Sequence, residues 1–179
     1  MGKSILILNG SPRKNGNSRQ LSLHFQQGAE AAGHTVKTIE LGNAKLNGCL
    51  ACEYCRRNAH QCVQKDAMAE VYAAINEADT IVFCAPVYFY GLPVQIKTVF
   101  DRLFAYGPEY LRRDCLLLMT AGDTDAAVFG ACELNYKLAL LDYLHWQDKG
   151  RILVAGVYEP GAIKDNPALQ QAYELGKNL

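Results

Sequence analysis

Four of the seven cysteines lie between Cys49 and Cys62, in the stretch CLACEYCRRNAHQC. The spacing is C-x2-C-x2-C-x6-C through Cys49, Cys52, Cys55 and Cys62. Two successive x2 gaps let one tight loop direct thiolates at adjacent corners of a cube. A bacterial ferredoxin run shares the first three spacings, but its fourth cysteine serves another cluster and precedes a proline. Here Val63 follows and no second set exists, so one self-contained 4Fe–4S site is the favoured reading. Four thiolates also make a structural zinc site, although zinc ligands usually come as two pairs split by a longer arm. An empty, disulfide-forming or redox-sensing patch is the third reading. Arg56, Arg57, His60 and Lys65 lie close in sequence, either offsetting a negative cluster or forming a solvated basic turn. Cys84, Cys115 and Cys132 sit among apolar neighbours and read as small buried hydrophobes.

A second stretch, NGSPRKNGNS (Asn9–Ser18), offers hydroxyls, amides and two glycines just before a helix. Backbone N–H groups and the helix dipole there favour an anion. The stretch is neither G-x-x-x-x-G-K-[ST] nor G-x-G-x-x-G, so a triphosphate or a dinucleotide at this position is not indicated. A phosphate monoester with Arg13 nearby fits, and an ordinary polar turn is the plain alternative. A third stretch, PVYFYGLPVQIKTVFDR (Pro86–Arg102), combines two prolines, a glycine and three aromatics before its helix. Such a stiffened loop can line a flat heterocycle. Phe100 and Phe104 at helical spacing read as core, and Asp101 and Arg102 as surface or structural ion-pair residues.

These stretches need a scaffold, and the chain supplies alternating strands and helices. SILILN (Ser4–Asn9) and DTIVFCAP (Asp79–Pro86) are near-continuous apolar runs, as in strands buried on both faces. HTVKTIEL (34–41), CLLLMTAG (115–122) and RILVAGVY (151–158) complete five strands. Helices are expected from Ser18 to about Ala32, from Asp66 as N-cap, from Pro93, over about 124–146, and through NPALQQAYELGKNL. Strands separated by helices imply a parallel sheet covered on both faces. Ligands then belong at the carboxyl ends of the strands, beside the switch in strand order.

At 179 residues the chain reads as one domain, 1–179, with a cysteine-rich loop at about 48–65. Lysine plus arginine equals aspartate plus glutamate at 18 each, which supports neither nucleic acid nor an anionic membrane as partner. No apolar run is long enough for a membrane span and no signal peptide is visible, so a cytoplasmic protein is expected. In that reducing setting, clustered cysteines are more often ligands or redox groups than disulfides.

NGSPRKNGNS and PVYFYGLPVQIKTVFDR, each after its expected strand, resemble the two signature loops of the flavodoxin-like NADPH-dependent FMN reductase superfamily. The likeness runs over essentially the whole chain and implies a flavodoxin-like α/β fold with sheet order 2-1-3-4-5. It implies FMN held at its phosphate by Ser11, Arg13, Asn17 and Ser18. Pro86, Val87, Tyr88, Phe89 and Gly91 would border the isoalloxazine and ribityl chain, with Thr120, Ala121 and Gly122 closing the far side. Within the superfamily the compact cysteine set most resembles the iron–sulfur flavoproteins, which carry a 4Fe–4S cluster beside FMN. The resemblance further implies a homodimer or homotetramer, with NAD(P)H or an electron-carrier protein as redox partner. No catalytic proton donor is demanded, because the cofactors carry the chemistry. A cluster on the loop after the second strand is expected to meet the flavin of a neighbouring subunit. The competing expectations are a cluster-free NAD(P)H-dependent FMN or quinone reductase and a zinc- or thiol-based redox sensor.

Overall fold

The structure is a computed structural model that describes residues 2–179. Five strands, β1 (Ser4–Asn9), β2 (Thr35–Glu40), β3 (Thr80–Pro86), β4 (Asp114–Thr120) and β5 (Gln147–Val154), form one sheet in the order 2-1-3-4-5. Every pairing is parallel. The central strands follow their composition. β3 buries all of Thr80–Ala85, and β4 buries Cys115–Thr120. At the edge, β2 alternates, and only Ile39 is fully buried.

Each face of the sheet carries its own core. On one side α1 (Asn17–Ala31) and α7 (Ala168–Lys177) cover Ile5, Ile7, Val82, Leu116 and Leu118. On the other, α3 (Met68–Glu77), α4 (Val94–Arg102) and α6 (Gly130–Tyr136) cover Leu6, Leu8, Ile81, Phe83 and Leu117. Two one-turn helices, α2 (Tyr54–Arg57) and α5 (Gly107–Tyr110), belong to the connecting loops. Among the described residues no helix is long and apolar enough to cross a membrane.

The contact between α1 and α7 depends on glycine. A Cβ on Gly28 would stand 1.9 Å from the Tyr173 carbonyl oxygen, and one on Gly176 would stand 2.2 Å from that of Phe25. Backbone cannot yield as a flexible side chain can, so Gly28→Ala must push the helices apart. Its expected cost is about 1–3 kcal/mol, read as a lowered urea midpoint at unchanged m-value.

Three expectations are corrected in detail. The strand expected at Arg151–Tyr158 runs from Gln147 to Val154, because polar residues at its start still pair with Asp114 and Cys115 on this solvent-facing edge. Gly156, at φ +75°, ends it and turns Val157 and Tyr158 towards the carboxyl edge of the sheet. The segment 124–146 is not one helix. Asp125 accepts from the Ala127 N–H, a 3-10 turn spans Ala126–Phe129, α6 follows, and Lys137–Tyr143 widens into a π-helix. The wider turn, with the Leu144 N–H donating to Ala139 five residues back, buries both Leu140 and Leu144. The third concerns Asp66, which lies two residues before α3 instead of capping it directly. Its Oδ1 still accepts from the Met68 N–H at 3.2 Å.

Candidate functional site

The carboxyl ends of β1, β3 and β4 frame a cavity of about 310 Å³. Its floor is the loop into α1. Asn9 Oδ1 accepts from the Ser11 N–H at 3.2 Å, and Ser11 Oγ accepts from the Arg13 N–H at 3.3 Å, which folds the loop back on itself. Gly16 sits at the N-cap without a side-chain cap, and the first turn of this 15-residue helix holds no acidic residue. Its N–H groups are therefore free for an anion. Ser11, Arg13, Asn17 and Ser18 all line the cavity. The Asn17 side chain is already committed, however. Its Nδ2 donates to the carbonyls of Val157 and Glu159 at 3.0 and 2.9 Å, and its Oδ1 accepts from the Gly161 N–H at 3.0 Å. Asn17 thus ties the loop after β5 to the loop into α1, which leaves its backbone N–H as the group free to meet a ligand.

Pro86, Val87, Tyr88 and Phe89 form one wall and Thr120 another. Gly91, Ala121 and Gly122 stand one step back. Gly91 exchanges two backbone hydrogen bonds of 3.0 Å with Tyr88. Ala121 is tied to Val154, and a Cβ on Gly122 would meet the Tyr158 ring at 2.5 Å. Gly122 therefore lets Tyr158 close over the site. Val157 and Tyr158 line the cavity as well. The sequence reading missed them because it placed them at the end of a strand. Among the described residues that line this cavity, the ionisable side chains are Arg13, Tyr88 and Tyr158.

The Tyr88–Gly91 turn has φ +45° at Phe89 and +62° at Tyr90. Two positive φ values in a two-residue hairpin normally select Asn-Gly. Aromatic residues there cost of order 1–3 kcal/mol each, yet they place Phe89 (98% exposed) in the cavity wall and leave Tyr90 (62%) exposed beside it.

The loop after β2 builds a second, smaller cavity of about 30 Å³, lined mostly by apolar atoms. All four clustered cysteines line it, together with Tyr72, Phe104 and Arg102. Cys49 and Cys52 are exposed, while Cys55 and Cys62 are half-buried. Ala51, Glu53, Ala59 and His60 all have left-handed φ, between 48° and 62°. Such a density of strain in alanines and charged residues marks a functional loop more often than a structural one, and successive turned amides can form an anion-binding nest. Among the described residues, no three His, Cys, Asp or Glu side chains converge tightly enough for a single metal ion.

The loop is clamped from outside. Arg56 lies 4.2 Å over the Phe104 ring and donates to the Tyr143 hydroxyl. The π-helix delivers that hydroxyl. Arg57 donates to the Cys52 carbonyl at 3.2 Å. His60 stacks on Tyr110 at 4.0 Å and bonds the Ala105 carbonyl through Nδ1 at 2.7 Å. The cation in the cavity wall is instead Arg102, expected from sequence as a surface or structural ion-pair residue. Its side chain is 1% exposed and paired with Asp66, itself 5% exposed. Burial pulls the Arg102 pKa down, but hydrogen bonds to Asp66 and Cys62 outweigh it and hold the pKa above its ordinary value. Burial likewise raises Asp66, but bonds from Arg102, Asn47 and Met68 bring it below the usual carboxylate range.

The remaining cysteines are inert by burial, which pushes the thiols of Cys84 and Cys115 up to about 12 and that of Cys132 up to about 11. Cys84 lies under the start of α1 and donates to the Ser18 carbonyl at 3.0 Å.

Residues 4–155 match the family model described as NADPH-dependent FMN reductase. An iron–sulfur flavoprotein of Methanosarcina thermophila is 30% identical over 182 residues, covering 98% of this chain and 92% of that one. An iron–sulfur flavoprotein of Archaeoglobus fulgidus is 34% identical over 105 residues, covering 59% of this chain; the match spans about half of that relative, 47%. Among solved structures, an NAD(P)H:quinone oxidoreductase from Methanothermobacter marburgensis superposes with a TM-score of 0.75 at 21% identity, covering 99% and 97% of the two chains. On the family model and the near full-length relative, the chain belongs to the NADPH-dependent FMN reductase family, of the iron–sulfur flavoprotein type.

Proposed function

We propose that this protein is an electron-transfer flavoenzyme that binds FMN in the larger cavity and a 4Fe–4S cluster on Cys49, Cys52, Cys55 and Cys62. The observation that carries the reading is the second cavity. Four thiols and a buried guanidinium surround one apolar hollow, and Arg102 Nε has no hydrogen-bond partner there. A buried donor without an acceptor is costly, and an anionic cluster held by thiolates supplies acceptors. The larger cavity fits FMN on the open amides of α1 and its aromatic wall. When bound, FMN exchanges electrons in pairs or singly and the cluster one at a time, which joins two-electron to one-electron traffic.

The chain's own part is binding and placement. Ser11, Ser18 and the first amides of α1 hold the phosphate, with Arg13 as counter-charge. Pro86–Phe89 orient the ring, and Tyr158 restricts water on the opposite side. The two cavities share no lining residue. That separation supports a pathway in which one subunit's cluster meets the flavin of another. Exposed Leu134 and Leu138, with half-exposed Tyr143, supply apolar surface for self-association.

One feature favours a second reading, a flavin reductase acting directly on NAD(P)H and a flat acceptor. The strained Phe89–Tyr90 turn sets exposed Phe89 in the cavity wall, with exposed Tyr90 beside it in sequence. Anaerobic mixing of the purified holoprotein with NADPH, followed at the flavin band, separates the two. An electron carrier fed by a protein donor keeps its yellow colour with NADPH and bleaches with a reduced ferredoxin. Rapid bleaching by NADPH supports the direct reductase.

A further inference from the structure

The side chain that most needs explaining is Arg102. It ends α4 inside the protein, and each polar edge of its planar fork has a distinct fate. Nη1 donates to both Asp66 oxygens at 2.8 and 2.6 Å and to the Asn47 carbonyl at 3.3 Å. Asp66 also accepts from the N–H groups of Asn47 and Met68 at 2.8 and 3.2 Å, so its lone pairs are taken. The other edge carries Nη2 and Nε. Nη2 donates to Cys62 Sγ at 3.3 Å, and the buried Nε has no partner.

Cys62 differs from its three companions in the same respect. Cys49, Cys52 and Cys55 ride on the short strained loop, whereas Cys62 follows a six-residue gap that leads back to α3. Among the described residues it is the one of the four whose sulfur accepts a side-chain hydrogen bond. The guanidinium links that sulfur through Asp66 to the start of α3 and through its own backbone to α4.

We propose that Arg102 is a positioning residue for Cys62, locked by Asp66, and that its Nη2–Nε edge makes Cys62 the ligand anchoring the cluster to the domain body. This rests on the cysteine cavity being a 4Fe–4S site. An N–H donor at a ligand sulfur orients it and draws electron density from it, and groups acting at this remove typically change metal affinity 10- to 100-fold. The Asp66 carboxylate keeps the guanidinium from turning away and balances its charge when the cavity is empty.

Two variants test this on the full chain. Arg102→Lys keeps a cation against Asp66 but lacks the fork, and Asp66→Asn with Arg102→Gln replaces the ion pair by a neutral amide pair. Each is reconstituted anaerobically with iron and sulfide, and the release of iron to a ferrous chelator is timed. FMN content and the thermal midpoint serve as controls of folding. Both variants should keep FMN and release iron roughly 10- to 100-fold faster than the parent, with an altered EPR signal of the reduced cluster. If the neutral pair fails to fold, Arg102→Lys carries the test alone. In a Cys62→Ser background the Arg102→Lys change should add less than about twofold, since the contact it removes is already gone. Unchanged release and EPR in the variants overturn the proposal, as does equal acceleration with Ser at position 62. Should the parent chain take up no iron, the cluster reading itself fails and this proposal falls with it.

Discussion

Gly42→Ala is expected to weaken FMN binding by roughly a hundredfold, although Gly42 touches no part of the proposed flavin cavity. Gly42 lies after β2, against the back of the loop that joins β1 to α1. A Cβ there would stand 2.3 Å from the Ser11 carbonyl oxygen, 2.4 Å from its carbon and 2.5 Å from Pro12 Cα. Those are backbone atoms, so the loop carrying Ser11 and Arg13 must move as a unit. Gly42 does not occupy the left-handed region, so alanine adds no conformational strain of its own. Fluorescence titration of the apoprotein with FMN measures the effect. Gly48→Ala is the control, because nothing lies within 4 Å of its added carbon. Equal affinity in Gly42→Ala and parent would mean that the Ser11–Ser18 loop does not hold the phosphate.

The second large effect concerns iron. Cys52→Ala should remove essentially all iron and sulfide from the purified protein while leaving FMN affinity within about twofold. Cys52 is exposed, so its loss opens no core cavity, and the cysteine-lined cavity has no residue in common with the flavin cavity. Cys84→Ala removes a thiol buried beneath the start of α1 and should show the reverse pattern. Iron is retained, while FMN binding and stability decline together. Iron content by colorimetric assay, beside flavin absorbance, distinguishes the two. Full iron in Cys52→Ala would exclude Cys52 as a ligand.

Much of this architecture was legible in the residues. The uninterrupted apolar runs of β1 and β3 announce strands buried on both faces, and the helices between them force parallel crossovers. The sheet order came from the loop resemblance, and the structure shows it. Where local pattern failed, tertiary contact had decided. The polar start of β5 pairs because β4 stands beside it, which no periodicity in QDKG reveals. The π-widening at Lys137–Tyr143 answers to how Leu140 and Leu144 reach the core. The site shows the same division. Ser11, Arg13 and Pro86–Phe89 sit in contiguous motifs that stand out locally, whereas Val157 and Tyr158 reach the same cavity from a distant loop through the bonds of Asn17. Arg102 is the plainest case. At a helix end it reads as a surface or structural ion-pair residue, and only the fold shows it buried, with Asp66 on one edge and Cys62 on the other.

The most direct test of the central claim is composition. Protein purified without oxygen should be assayed for FMN, iron, acid-labile sulfide and zinc per chain. An FMN–cluster electron-transfer protein gives FMN equimolar with the chain and iron equal to sulfide, in the amounts of a single 4Fe–4S cluster. FMN without iron would contradict the cluster and leave a simple flavin reductase. Stoichiometric zinc with no flavin would contradict the whole reading.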